Sequence, residues 1–161
     1  MNQSTQNSLL PPHKHIAYIQ AGCHRDIVEQ SLNSFRDTIS DAGINPNQVE
    51  VFDVPGSLEI PLQSKLLAQS GNYALIVAAG LIVDGGIYRH DFVASTVLDA
   101  MMQVQLAAEV PILSVVLTPH HFSGEQVHHD FFYEHFQLKG EEAGRACIQT
   151  LRNIAGIRQA A

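Results

Sequence analysis

Histidine carries most of the potential chemistry in this sequence. Nine occur in 161 residues, and they gather in His120-His121-Phe122, then in His128-His129-Asp130-Phe131-Phe132 and His135. An imidazole can ligate a metal, move a proton near neutral pH, or face an anion. The common zinc motifs space their ligands as C-x-x-C or H-E-x-x-H, and neither occurs. Adjacent histidines on an ordered backbone also point in different directions. These spacings favour anion binding or subunit contact over a dedicated metal site. Cys23 and Cys147 stand far apart in no ligand spacing. They form no disulfide framework and fit a reduced, cytoplasmic setting.

Two further segments can do chemistry. Gly80-Leu81-Ile82-Val83-Asp84-Gly85-Gly86-Ile87-Tyr88-Arg89-His90-Asp91 matches neither the dinucleotide fingerprint nor the Walker loop. Gly85-Gly86 near a helix start can nevertheless aim amide hydrogens at a phosphate. Arg89 and His90 set a fixed cation beside a side chain suited to proton transfer. The plain alternative is a flexible turn bearing two surface polar residues. In Val54-Pro55-Gly56-Ser57-Leu58-Glu59-Ile60-Pro61, a tight turn can present backbone amides and the Glu59 carboxylate to the N–H groups of a heterocycle. Alternatively, Ser57 caps a helix and Glu59 complements its dipole.

The elements that must position these groups follow from apolar periodicity. Strands are predicted at 15–21, 49–53, 74–80 and 112–117. Helices are expected from Asp26 for about fifteen residues, from near Ser57, from Asp91 to Ala108, and from Gly140 to Ile154. A long histidine- and phenylalanine-rich loop separates the last strand from the last helix. Pro61 falls in a first helical turn, where its missing N–H costs little. The β-α alternation predicts a three-layer α/β/α sandwich around a four-stranded parallel sheet. Ligands of such sheets bind at the carboxyl ends of the strands, which points to 22–26, 53–59, 80–91 and 117–130. The third helix carries Phe92, Val93, Val97, Leu98, Met101, Met102, Val104 and Leu106, more than one apolar stripe. It is expected to be buried on two sides, the second against a neighbouring subunit.

Composition agrees with a single domain. The chain is 45% hydrophobic and 16% charged, with net charge -7. The charged share is below the usual value of about 25%, which excludes disordered, collagen-like and coiled-coil classes and suits a surface partly covered by copies of itself. With no lysine- or arginine-rich run, nucleic acid and anionic membrane are not expected partners. Residues 1–12, rich in Asn, Gln and Ser and ending in Pro11-Pro12, are expected to form a loose arm before a domain at 13–161. Neither a signal peptide nor a membrane span is expected. The longest apolar run, 74–83, is too short for the ~20 residues that a spanning helix needs.

Taken together, the segment from Phe52 to Pro61, the segment from Gly85 to Val93 and Val115-Val116-Leu117-Thr118-Pro119-His120-His121-Phe122 resemble the type II branch of the lumazine synthase family. The likeness runs in order from about residue 14 to residue 150. It implies a flavodoxin-like sheet in the order 2-1-3-4 and pentamers that stack into decamers, with active sites between adjacent subunits. It also implies condensation of 5-amino-6-(D-ribitylamino)uracil with 3,4-dihydroxy-2-butanone 4-phosphate to 6,7-dimethyl-8-ribityllumazine, the penultimate step of riboflavin biosynthesis, without metal or organic cofactor. Carried over by position, Ser57, Leu58 and Glu59 hold the uracil, while Leu81, Ile82 and Val83 line its other edge and the ribityl chain. Gly86 and Ile87 offer amides to the phosphate, and Ser114 occupies a pyrimidine-side position. The family's phosphate-binding arginine has its counterpart in His128 or His129.

Two positions depart from the family pattern. The proton-transfer histidine falls on Arg89, with the imidazole moved to His90, so either His90 takes the role or Arg89 serves electrostatically. The aromatic residue that stacks on the pyrimidine is replaced by Cys23, with His24 beside it, a loss on the order of 1 kcal/mol. These departures define a competing reading, a catalytically weak flavin- or lumazine-binding oligomer. A metal-dependent hydrolase built on His120 to His135 is a third.

Overall fold

The protein is described by a computed structural model covering residues 9–161. Four strands, β1 (His15–Ala21), β2 (Val49–Val54), β3 (Tyr73–Leu81) and β4 (Ile112–Leu117), pair in parallel in the order β2-β1-β3-β4. This is the predicted three-layer order. β1 and β3 occupy the centre and are buried almost throughout, as strands covered by helices on both faces must be. Side chains alternate between two cores. Ile16 and Tyr18 face one, with Phe35, Phe136 and Cys147; Ala17 and Ile19 face the other, with Ile60, Val97 and Met101.

The helices are α1 (Arg25–Val28), α2 (Gln30–Asp41), α3 (Ile60–Gln69), α4 (His90–Ala108) and α5 (Gln126–Ala160). The single helix expected from Asp26 is split at Glu29. The larger correction concerns α5, which begins at Gln126 rather than Gly140 and runs for 35 residues. The long loop expected after β4 therefore shrinks to 118–125, and His128 and His129 lie in the first turn of a helix. Phe132, Phe136, Gly140, Ala143, Cys147 and Leu151 are buried at spacings of three and four, a continuous inward stripe. The polar residues between them disguised it.

Close approach of α5 to α2 is set by its glycines. A Cβ at Gly140 would lie 2.2 Å from the carbonyl oxygen of Ser31, and one at Gly144 would lie 2.7 Å from Thr38. Ser31 also accepts a hydrogen bond of 2.7 Å from the Tyr18 hydroxyl and donates to the Val28 carbonyl. This ties sheet, α1 and α2 together. Burial pushes the Tyr18 phenol well above its usual range, against a smaller opposing effect of the Ser31 bond.

Of the apolar residues on α4, Ala94, Val97 and Met101 are buried, whereas Phe92, Met102 and Leu106 are exposed. Leu62 and Leu66 on α3 are exposed too. In one chain, α4 thus covers the sheet with one face and leaves the other open. Residues 1–8 of the expected arm lie outside the described residues. Leu10, counted with that arm, is buried in the core beneath the sheet edge at 1% exposure. Among the described residues, no helix is long and apolar enough to cross a membrane.

Gly140→Ala is expected to lower stability by about 1–3 kcal/mol, because the new methyl meets the Ser31 backbone carbonyl as well as the Ser34 hydroxyl, and the backbone cannot move aside as a side chain can. Gly156→Ala, on the same helix with nothing nearby, should be neutral or slightly stabilising. Thermal melts of the two variants check the contrast.

Candidate active site

All four strands end at the carboxyl edge of the sheet, and a cleft of about 530 Å³ opens there. The exits of β1, β2 and β3 build it. The Gly22 amide donates to the Val54 carbonyl at 2.9 Å, and a Cβ at Gly22 would sit 3.0 Å from the Pro55 carbonyl oxygen. The turn after β2 therefore leans directly on the exit of β1. At Gly80 a Cβ would stand 2.8 Å from the Ser57 hydroxyl. This missing side chain lets Ser57 tuck in at 9% exposure. Ser57 caps no helix: Ser57–Glu59 form one tight 3₁₀ turn running into α3.

Cys23, His24, Ser57, Leu58, Glu59, Leu81, Ile82, Val83, Ile87 and His90 all line this cleft. Leu81 and Ile82 form a buried apolar floor, while Ile87, Tyr88 and Leu58 make an exposed apolar rim. Such a slot admits a flat ring whose polar edge meets Glu59 and the turn amides. His24 holds a left-handed backbone (φ 51°), a conformation that histidine tolerates better than most residues. Its ring packs edge-on to Phe122, with centroids 4.9 Å apart. Gly56, Gly85, Tyr88 and Val93 also line the cleft; of these only Gly85 is given a role by the sequence, as an amide donor to phosphate. Three of them lie inside segments that the carboxyl-edge rule had marked, and Val93 lies just beyond.

The remaining predicted residues separate by position. Arg89 turns away from the main cleft: its guanidinium pairs with Asp91 at 3.0 Å and lies 4.0 Å from the centre of the Phe92 ring. Desolvation works against ionising Asp91, but Arg89 overcomes it and holds the carboxyl below its usual range. His90, the first residue of α4, faces both the cleft and a neighbouring cavity shared with Arg89, Asp84, His120 and His121. Gly86 faces a third cavity, of about 440 Å³, with Asp84, His120, His121, Phe122, Ser123 and His128. Ser114 lies exposed on edge strand β4, accepts the Val116 amide at 3.2 Å and lines none of these cavities.

The adjacent histidines of α5 are committed differently. His128 Nδ1 accepts the Ser123 amide at 2.8 Å. That bond leaves Nε2 as the ring's remaining polar atom. His129 Nε2 instead meets Asp26 at 2.5 Å, and its ring stacks on Tyr133. The Asp26 hydrogen bond raises the His129 pKa, and the same bond lowers that of Asp26. Among the described residues, no three His, Cys, Asp or Glu side chains converge to hold a metal ion.

Fold and cleft define an α/β protein with an apolar cleft at the carboxyl edge of a parallel sheet and histidine-lined cavities beside it. The family model described as 6,7-dimethyl-8-ribityllumazine synthase matches residues 13–155, and the chain belongs to that family. A Pseudomonas syringae protein named 6,7-dimethyl-8-ribityllumazine synthase 2 is 51% identical over 92% of this chain and 87% of its own length. A Rhodococcus erythropolis 6,7-dimethyl-8-ribityllumazine synthase is 51% identical over 88% and 92%. A Bradyrhizobium diazoefficiens protein named 6,7-dimethyl-8-ribityllumazine synthase 2 is 50% identical over 89% and 86%.

The His129–Asp26 pair has a pH signature. The raised His129 pKa contributes stability that is complete below the ordinary imidazole range and lost as pH rises through the raised value. The lowered Asp26 pKa contributes stability present above the ordinary carboxylate range and lost as pH falls through the lowered value. The melting temperature of Asp26→Asn should therefore trail the parent most at about pH 5–6, where both groups are charged. The gap should close on either side. A gap independent of pH would contradict the pair's charged state.

Proposed function

We propose that the chain condenses 5-amino-6-(D-ribitylamino)uracil with 3,4-dihydroxy-2-butanone 4-phosphate, releasing inorganic phosphate and forming 6,7-dimethyl-8-ribityllumazine for riboflavin biosynthesis. The observation that carries this reading is the convergence of 23–24, 56–59 and 81–93 on one cleft, in a chain about half identical to proteins named for that synthase. The uracil lies on the Leu81–Val83 floor, its N–H groups on Glu59 and the turn at Ser57 and Leu58. The amine attacks the ketone, water and phosphate leave, and the ring closes. Holding both partners in one slot supplies much of the acceleration.

His90 is the proton carrier in this reading. Of the two histidines that line the cleft, His24 is packed against Phe122 and His90 stands beside the 85–88 turn, whereas Arg89 is turned toward Asp91 and Phe92. Arg89, always charged, contributes to the field felt by the phosphate. Gly86, Ile87 and His128 receive that group. His128 is preferred to His129 here because the Nε2 of His129 is already bonded to Asp26.

The working form is a homopentamer, stacked in pairs into a decamer, in the cytoplasm. Supporting this are the open apolar faces of α3 and α4 and the position of Ser114, which lies off its own chain's cleft and reaches a pyrimidine only if a neighbouring copy brings it there. The domain at 13–161 acts as one unit.

Purified protein given both substrates should form lumazine, followed by its absorbance, faster than the uncatalysed reaction. Tight lumazine binding without turnover would replace this reading with the non-catalytic oligomer. His90→Ala should lower kcat roughly ten- to hundredfold without changing assembly in solution. A silent His90→Ala alongside an impaired Arg89→Ala would move the proton carrier to Arg89.

A further inference from the structure

Two anionic groups have a claim on one backbone donor at the mouth of the cleft. The Gly86 amide donates to Asp84 Oδ1 at 2.9 Å, and Gly86 holds φ at +79°, a turn that suits glycine. Under the reading above, the same amide receives the substrate's phosphate. Asp84 is also the one residue shared by both cavities beside the cleft that carries a carboxylate not engaged by a cation: Asp91 is held by Arg89. The other polar lining comes from the imidazoles of His90, His120, His121 and His128, with Arg89 and Ser123. An exposed aspartate thus stands in the middle of the surface best suited to an anion.

We propose that Asp84 is a built-in competitor for the phosphate subsite. Its carboxylate occupies the Gly86 amide while the site is empty and must swing off when phosphate arrives. One N–H donates to one acceptor at full strength, and a carboxylate left within a few ångströms of a dianion repels it. Asp84 therefore weakens capture of the phosphorylated substrate and, by the same interaction, eases departure of inorganic phosphate. It is a specificity-determining residue, and its role rests on the assignment of phosphate to residues 85–87.

An ordinary turn-stabilising aspartate would make the same hydrogen bond, so the test must separate charge from turn geometry. Asparagine keeps the acceptor oxygen and removes the charge; alanine removes both. Inorganic phosphate is titrated onto wild-type protein, Asp84→Asn and Asp84→Ala by ³¹P NMR, and KM is measured for each substrate. Asp84→Asn should lower the phosphate Kd, and the KM for the ketone phosphate, by roughly three- to tenfold at low salt. The advantage should shrink as salt is added, and KM for the pyrimidine should stay put. Unchanged phosphate affinity in Asp84→Asn with weaker binding in Asp84→Ala would reduce Asp84 to a turn residue and overturn the proposal. Wild-type protein that makes no lumazine would instead overturn the functional reading. The phosphate titration still decides the Asp84 question in that case, and absence of phosphate binding in all three proteins also rejects it.

Discussion

The parallel pairing of β1 with β3 is the constraint on which the rest depends. Its register runs from Ile16 opposite Leu75 to Gln20 opposite Ala79, and both strands are apolar on both faces. A parallel pair cannot be closed by a hairpin, so every connection must cross over a sheet face, and both faces must be covered. Four exits then crowd one edge. Gly22 and Gly80 mark where that crowding is tightest, since neither position has room for a side chain against the turn at 55–57. The cleft is a consequence of this closeness, because the turn that carries Ser57 and Glu59 is held against the ends of β1 and β3.

Charge at the mouth is arranged by local pairing more than by net balance. An acidic protein of net charge -7 concentrates imidazoles at one rim and pairs several of its carboxylates with cations. Asp91 is held by Arg89, Asp53 by Arg25 at 2.7 Å, and Asp26 by His129. Asp84 is the carboxylate whose bond is to an amide. Three of the histidines are divided among ring packing (His24), a backbone bond (His128) and an ion pair (His129).

Much of the site was legible because it lies on segments with strong local signals. Gly56-Ser57-Leu58-Glu59 after β2, and the glycines after β3, fall at exits that the carboxyl-edge rule selects, and ten predicted residues line the cleft. The start of α5 was not legible. His128, His129 and Asp130 between apolar residues look like loop, and Gly140 and Gly144 look like breaks. Packing overrides both signals: Phe132 and Phe136 reach the core, and the missing Cβ atoms at Gly140 and Gly144 leave room for α2. The roles of Arg89 and His90 were undecidable in one dimension for a similar reason. Adjacent residues at a helix start point apart, and only the Asp91 and Phe92 contacts show which one leaves the cleft.

The sequence by itself determined the strands, their parallel layering, the family and the segments that carry the chemistry. These rest on periodicity and on short motifs, which are local properties of the chain. Only the tertiary structure decided that His129 pairs with Asp26 while His128 bonds the Ser123 amide, that Ser57 is buried against Gly80 rather than capping a helix, and that the Asp84 carboxylate accepts the Gly86 amide. Each of these depends on what a side chain meets across the fold or around a turn, and hydrogen bonds to distant or folded-back partners leave no period in the sequence.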